Sequence, residues 1–180
     1  IGEYAFNHCT SLTSVKLPAT LESLEDGCFS ICPKLTGIQL PENMAVLGDA
    51  VFSGSGMTKV VLPDSIWKIG DATFRSCTSL TSVTMPEELD ELGNCTFEDC
   101  SNLTDVTFKE NMDLTYVPSD TFFNCKSIEK IYLPKVIAET KACAFSNCDK
   151  NPTIEYANAN LKRSPFDCYA IDPGEAYRLG

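Results

Sequence analysis

The chain has 180 residues, enough for one domain of ordinary size, and 43% of them are hydrophobic, so it can bury a core. Its net charge of -11 argues against sequence-independent nucleic-acid binding and against docking on anionic lipid, because both need a basic face. No apolar run approaches the roughly 18 residues needed to span a membrane. We therefore expect neither a nucleic-acid partner nor membrane insertion by this segment.

A phenylalanine recurs along the whole chain at intervals of 22 to 25 residues. A period between about 20 and 50 residues is typical of solenoids. The chain opens within a repeat, because Ile1 occupies the position that Leu24 holds in the next one, and we expect the sequence to be a fragment of a longer polypeptide. The recurring residues are Phe6, Phe29, Phe52, Phe74, Phe97, Phe122 and Phe145.

Each repeat predicts one tight turn followed by one short strand. Residues 71–77 suggest a single helical or 3₁₀ turn, with Asp71 as its N-cap, that inserts Phe74 into the core. Residues 83–85 alternate between apolar and polar, which predicts a strand with one buried face. Pro86 ends that strand, because proline has no N–H to donate to a ladder.

Stacking the repeats places like residues in columns and predicts one continuous parallel sheet, with neighbouring strands about 4.8 Å apart. Each coil buries little by itself, so stability comes from the interfaces between neighbouring coils. The first predicted buried column is Val15, Ile38, Val60, Val83, Val106, Ile131 and Ile154. The second is Leu17, Leu40, Leu62, Met85, Phe108, Leu133 and Tyr156.

Two repeats depart from the common length. The third is one residue short after Phe52, where Gly54 and Gly56 permit a tighter turn. In the fifth, Lys109 replaces the proline, and the segment that reaches Val117 is two residues longer. Both changes fall in connections, where insertions and deletions are tolerated best.

The frame Ile69-Gly-Asp-Ala-Thr-Phe74-x-x-Cys77-x-x-Leu80-x-x-Val83-x-Met85-Pro86 resembles the BspA-like, or Treponema-type (type-5), leucine-rich repeats. The match covers residues 1–157 as about seven repeats, and residues 158–180 are expected to form a C-terminal cap or a linker. The resemblance implies a curved right-handed solenoid with a parallel β-sheet on its concave side. Members of the family are often surface or secreted adhesion proteins without a catalytic motif.

The ten cysteines allow several interpretations. Six follow the repeat phenylalanine by three residues, which indicates a packing position, since free cysteine is among the most buried residue types. Buried thiols, disulfides along the ladder, one local bridge among the extra cysteines, and a metal site are the alternatives. Metal binding is disfavoured, because the close pairs lack ligand spacing and a histidine partner. The extra cysteines are Cys28, Cys95, Cys143 and Cys168.

No arrangement of residues predicts catalysis or a cofactor. The only histidine, His8, occupies a position that varies between repeats, which indicates a solvent-facing residue. The glycine pair of the third repeat lies at the deletion and indicates a turn, not a phosphate loop. Acidic pairs such as Glu87 and Glu88 are typical of a solvated connection. We therefore expect no enzyme activity.

Recognition is expected at outward-facing strand positions, which do not repeat. Lys59, Val61, Lys130 and Tyr132 are predicted to form a docking strip, with Tyr132 as an anchor; an ordinary solvated sheet face is the alternative. Trp67 replaces small or polar residues of other repeats, so it is either a contact residue off the concave face or is covered by a loop.

These observations predict a non-catalytic module that binds a protein, or a glycan, at a cell surface or after secretion. The alternative is a structural or scaffold subunit of a larger intracellular or organellar assembly, because buried thiols are compatible with a reducing compartment.

Overall fold

A computed structural model describes residues 1–148 and 152–158. The chain is a parallel β-solenoid of about six turns. Its strands are β1 (Ser23–Leu24), β2 (Val46–Leu47), β3 (Lys68–Ile69), β4 (Ser82–Thr84), β5 (Glu91–Leu92), β6 (Asp105–Thr107), β7 (Tyr116–Val117), β8 (Lys130–Leu133), β9 (Glu139–Thr140) and β10 (Thr153–Tyr156).

The predicted sheet is present as four parallel strands in the order β10-β8-β6-β4, which we call the front sheet. Its register pairs Val83 with Val106, and Ile131 with Ile154. Like apolar residues therefore stack inward, as the repeat predicts. The outward residues of these strands, with those of the equivalent segments 14–16, 37–39 and 59–61, form what we call the front face.

The front sheet is shorter than the single continuous sheet that the sequence predicts. It extends into the third coil only as an isolated bridge between Lys59 and Ser82, and the first two coils contribute no strand to it. Gly37, at the outward position of the second coil, has no side chain to pack and lowers strand propensity there. The first coils therefore keep the stacking without a regular ladder.

A second parallel sheet, in the order β1-β2-β3-β5, was not predicted. Each of its strands has two residues, and the second residue is buried. The stacked residues are Leu24, Leu47, Ile69 and Leu92, paired in register. Strands β7 and β9 form a separate pair. The apolar residue at the end of each connection therefore stacks on its equivalents and forms a second ladder beside the front sheet.

The repeat phenylalanines form a continuous stack through the side of the solenoid that carries the tight turns, which we call the turn side. Successive ring centroids lie 5.1 to 5.9 Å apart, and all six pairs are stacked. Six of the seven rings are fully buried, and Phe6, in the first coil, is 39% exposed. The prediction that Phe74 and its equivalents enter the core is confirmed.

The turn that carries each phenylalanine is not helical, and no helix occurs in residues 1–148 or 152–158. In the fourth coil the Arg75 N–H donates to the Ala72 carbonyl (3.0 Å) and the Cys77 N–H to the Phe74 carbonyl (3.2 Å), which closes two successive tight turns. Ala72 and Ser76 have left-handed φ values of 54° and 57°. A left-handed residue interrupts a helix, so the predicted helical or 3₁₀ turn does not form.

Asp71 does not act as the predicted N-cap of its own turn. Its Oδ1 accepts a hydrogen bond from the backbone N–H of Asn94 in the following coil, at 2.7 Å. The same bond joins Asp26 to the Asp49 N–H and Asp49 to the Asp71 N–H, at 2.8 Å each. This aspartate ladder links the coils along one edge.

In the two coils of unusual length, the length changes lie where the sequence predicts them. At Gly56 an added Cβ would lie 2.1 Å from the Pro33 carbonyl oxygen, so the shortened third coil needs glycine for a close approach. In the fifth coil Lys109, which replaces proline, hydrogen-bonds Asp64 two coils away. Tyr156, predicted to close the second buried column, is 51% exposed, because no described coil follows it.

Candidate functional site

The repeat cysteines donate hydrogen bonds along the stack and so serve the fold. The Cys100 thiol lies 3.1 Å from the Phe74 carbonyl oxygen in the preceding coil, and Cys77 and Cys125 make the same contact at 3.1 Å. Burial raises the pKa of Cys77 to about 11 and of Cys100 well above its ordinary value. Thiols of this kind are poor nucleophiles at neutral pH.

Eight of the cysteines in the described part of the chain carry thiols, including Cys28 and Cys95 of the extra group. Cys143 is disulfide-bonded, and Cys168 lies outside the described residues. Burial raises the pKa of Cys28 to about 12. The six repeat cysteines therefore occupy their position as packed thiols, and the ladder of disulfides is not formed.

Strand β8 places Lys130 and Tyr132 side by side on the front face. Tyr132 is 41% exposed and lies between Thr107 and Glu155 in the register of the sheet. The Lys130 Nζ lies 2.9 Å from the Glu155 Oε2. Partial desolvation, together with a hydrogen-bonding interaction with Glu110, raises the pKa of Tyr132. This part of the predicted strip combines an accessible aromatic ring with mixed charge.

Lys59 and Val61 lie on the front face three coil steps from β8, roughly 14 Å away at about 4.8 Å per step. Strands β4 and β6 separate the two patches. Val61 is 80% exposed, because alternation directs Val60 and Leu62 inward. The structure therefore divides the predicted docking strip into two patches on one face.

We did not predict from the sequence the groove that lies beside Val61 in the structure. It comprises three adjoining depressions with volumes of about 630, 250 and 320 Å³. Glu42 lines all three, Gln39 lines the first two, and Val61 and Pro63 line the last two. Lys109 reaches its wall, and the hydrogen bond from Lys109 holds the pKa of Asp64 below its usual value. The replacement of proline by Lys109 was the sequence signal that could have indicated this wall.

Trp67 does not belong to the front face. Its side chain is 41% exposed and borders an open depression of about 570 Å³ together with Glu88, Asp90 and Asp113. The ring is therefore not fully covered by a loop of the described chain. Asp113 reaches this position from the longer fifth coil.

His8 is exposed on the turn side of the first coil. Within residues 1–148 and 152–158, no group of three or more histidine, cysteine, aspartate or glutamate residues is placed to hold a metal ion. In the same residues, no helix has the length and apolar character needed to cross a membrane.

The repeat geometry agrees with a known family. Six copies of the BspA type leucine-rich repeat region match residues 1–113 and 102–171. The chain belongs to the BspA-type leucine-rich repeat family. Proteins with these repeats are typically non-catalytic binding modules. The resemblance predicted from the residues 69–86 frame is therefore confirmed.

Solved structures of bacterial leucine-rich repeat proteins are similar to this BspA-type solenoid. A protein from Bacteroides ovatus is 26% identical, with a TM-score of 0.65 over 90% of this chain and 53% of its own. The Treponema pallidum leucine-rich repeat protein is 23% identical, with a TM-score of 0.75 over 86% and 73%. A leucine-rich cell surface protein from Faecalibacterium prausnitzii is 19% identical, with a TM-score of 0.64 over 92% and 52%.

This chain spans about half the length of the Bacteroides ovatus protein that it matches. No curated protein matches the sequence. The similarities therefore establish the BspA-type repeat fold, and the partner has to be argued from the surface of this chain.

Proposed function

We propose that the chain is a non-catalytic module that binds a protein partner through its front face, at a cell surface or after secretion. The observation that carries the proposal is the contrast between inward and outward positions of the same strands. Inward residues are alike in every coil, whereas the outward ones include Val61 at 80% exposure and Tyr132 at 41%. Solenoids commonly bind through such an extended face. The cell-surface relative from Faecalibacterium prausnitzii supports this location.

The two patches of the front face suit a protein more than a small molecule. The groove beside Val61 is partly open to solvent, and Tyr132 lies roughly 14 Å away on the same face. Aromatic residues often anchor protein interfaces, with apolar contacts beside them and a polar rim around them. Lys59 and the Lys130–Glu155 pair supply that rim. A glycan that stacks on Tyr132 is the second ligand class for the same face.

The test is affinity capture on the immobilised chain, followed by titration of the purified partner against variants. Tyr132→Ala and Val61→Ser should each weaken a partner held at a hot spot by about 2 kcal/mol, or roughly thirtyfold. Tyr4→Ala is the matched control, because Tyr4 is 58% exposed in the first coil away from the front face. Unchanged affinity in both front-face variants, for a partner that binds the intact chain, would refute this proposal.

A structural subunit of a larger intracellular or organellar assembly is the second candidate function. The eight thiols of the described chain favour it, because reducing compartments keep cysteines reduced, whereas the disulfide at Cys143 favours export. Alkylation of the natural protein, unfolded immediately after isolation, followed by peptide mapping of the ten cysteines of this sequence, separates the two. Ten free thiols support the intracellular candidate, and fewer support the exported module.

A further inference from the structure

The surface around Trp67 has a chemistry that the front face lacks. Trp67 is the only tryptophan in the chain, and the stacked core does not require it, because Glu22, Ala45 and Ala138 occupy its position in other coils. A large aromatic side chain that is 41% exposed on a well-packed scaffold is typical of an interface anchor.

The scaffold holds the backbone of Trp67 from both sides. Its N–H donates to the Ala45 carbonyl of the preceding coil at 3.1 Å. Its carbonyl accepts from the Asp90 and Glu91 N–H groups of the following coil, at 3.0 and 2.9 Å. The ring is therefore presented from a rigid ladder position, so binding would not have to order a loop.

The rim of the depression carries negative charge only. Glu88, Asp90 and Asp113 border it with Trp67, and all three are exposed. The nearby lysines are engaged elsewhere, since Lys68 pairs with Glu91 at 2.8 Å and Lys109 pairs with Asp64. None of the three rim carboxylates forms an ion pair within the described chain.

We propose that Trp67 and its rim of carboxylates form a docking surface for a basic peptide segment of a protein partner, with an arginine or lysine side chain seated over the indole ring. Tryptophan is the best aromatic partner for a cation, and the carboxylates supply the charge complementarity. Asp113 reaches the rim from the fifth coil, which is two residues longer than the common length. This surface lies off the front face and goes beyond the function proposed above.

The single tryptophan makes the surface directly observable. Hexa-arginine and hexa-lysine peptides are titrated into the intact chain at low ionic strength, and Trp67 fluorescence is followed. We expect a saturable change with both cationic peptides and none with hexa-glutamate. The Glu88→Gln, Asp90→Asn, Asp113→Asn triple variant should bind at least tenfold more weakly. If neither cationic peptide produces a saturable change in fluorescence, the proposal is overturned.

A matched control separates this surface from the general acidity of the chain. The Glu3→Gln, Glu22→Gln, Glu25→Gln triple variant changes the net charge equally, at exposed positions of the first two coils. Its affinity for hexa-arginine should stay within about twofold of the parent, and a loss equal to that of the rim variant would refute a localised surface.

The aromatic contribution is tested separately by calorimetric titration of Trp67→Leu with hexa-arginine. Leucine keeps apolar area but removes the ring, so affinity should fall about three- to fivefold. An unchanged affinity would overturn the role of the indole ring, provided that circular dichroism shows the variant to be folded. Tyr132→Ala should leave peptide affinity unchanged, which keeps this test independent of the front-face proposal.

Discussion

The turn side of the solenoid repeats the same residues in coil after coil, whereas the front face changes its outward residues at each step. On the turn side, the phenylalanine stack, the cysteine-to-carbonyl hydrogen bonds and the aspartate ladder each join one coil to the next. On the front face, Val61 and Tyr132 contact solvent where other coils carry Thr84 or Thr107. Repeating stacking contacts and variable, solvent-facing residues therefore lie on different sides of the same coil, which is the arrangement that the proposed front-face binding requires.

The largest effect should follow from opening the phenylalanine stack. Phe97 is fully buried between Phe74 and Phe122, at centroid distances of 5.3 and 5.5 Å. Phe97→Ala leaves a large cavity in the middle of the solenoid, so we expect a loss of about 3–5 kcal/mol of unfolding free energy. Urea denaturation followed by circular dichroism measures it. Phe6→Ala, at the 39% exposed ring of the first coil, should cost less than half as much.

Alkaline pH should also weaken the turn side. The pKa of Cys28 is raised to about 12 and that of Cys77 to about 11, so both thiols stay protonated in the fold when their unfolded counterparts ionise near pH 9. Their stabilisation is complete below pH 9 and is lost as pH rises toward 11–12. We expect a decline on the order of 2 kcal/mol between pH 8 and pH 10. The Cys28→Ala, Cys77→Ala double variant should decline less steeply, and an identical slope would contradict this cause.

The cysteine hydrogen bond should matter less than the stack. Cys100→Ala removes the donor to the Phe74 carbonyl in a fully buried site, and we expect a loss of about 1–3 kcal/mol. Cys100→Ser retains a donor, as Ser55 does at this position in the third coil, and should lose less. Chemical denaturation of both variants tests this order. If Cys100→Ser loses more unfolding free energy than Cys100→Ala, the thiol acts as an apolar side chain that fills space and not as a hydrogen-bond donor.

The smallest effect on stability should come from the front face. Tyr132→Ala removes an exposed ring that no inward column needs, so we expect a change within about 0.5 kcal/mol. Thermal unfolding of this variant beside Phe97→Ala gives the comparison in one experiment. A loss of unfolding free energy above about 2 kcal/mol would show that the outward residues of the front face also stabilise the fold. The contrast between the two sides would then be wrong.

The repeat is sufficient to predict the architecture, because the same apolar residues recur at a fixed period and stacking equivalent residues is the arrangement that buries them. The positions of Phe74, Val83 and their equivalents, and both irregular coils, followed from spacing alone. The sequence also distinguished the repeating positions, which carry no information about a partner, from the variable outward positions such as Tyr132. These are local properties of each repeat, and they need no knowledge of neighbouring coils.

The contacts that residues make across coils depend on the three-dimensional stack. Asp71 bonds the next coil instead of capping its own turn, and Cys100 donates to the carbonyl of the preceding phenylalanine. The depression at Trp67 draws Asp113 from a coil two steps away, and the strip predicted from Val61 to Tyr132 becomes two patches. Such contacts join residues roughly 23 or 46 apart in sequence, and their geometry depends on the rise and register of the stack, which spacing within one repeat does not specify.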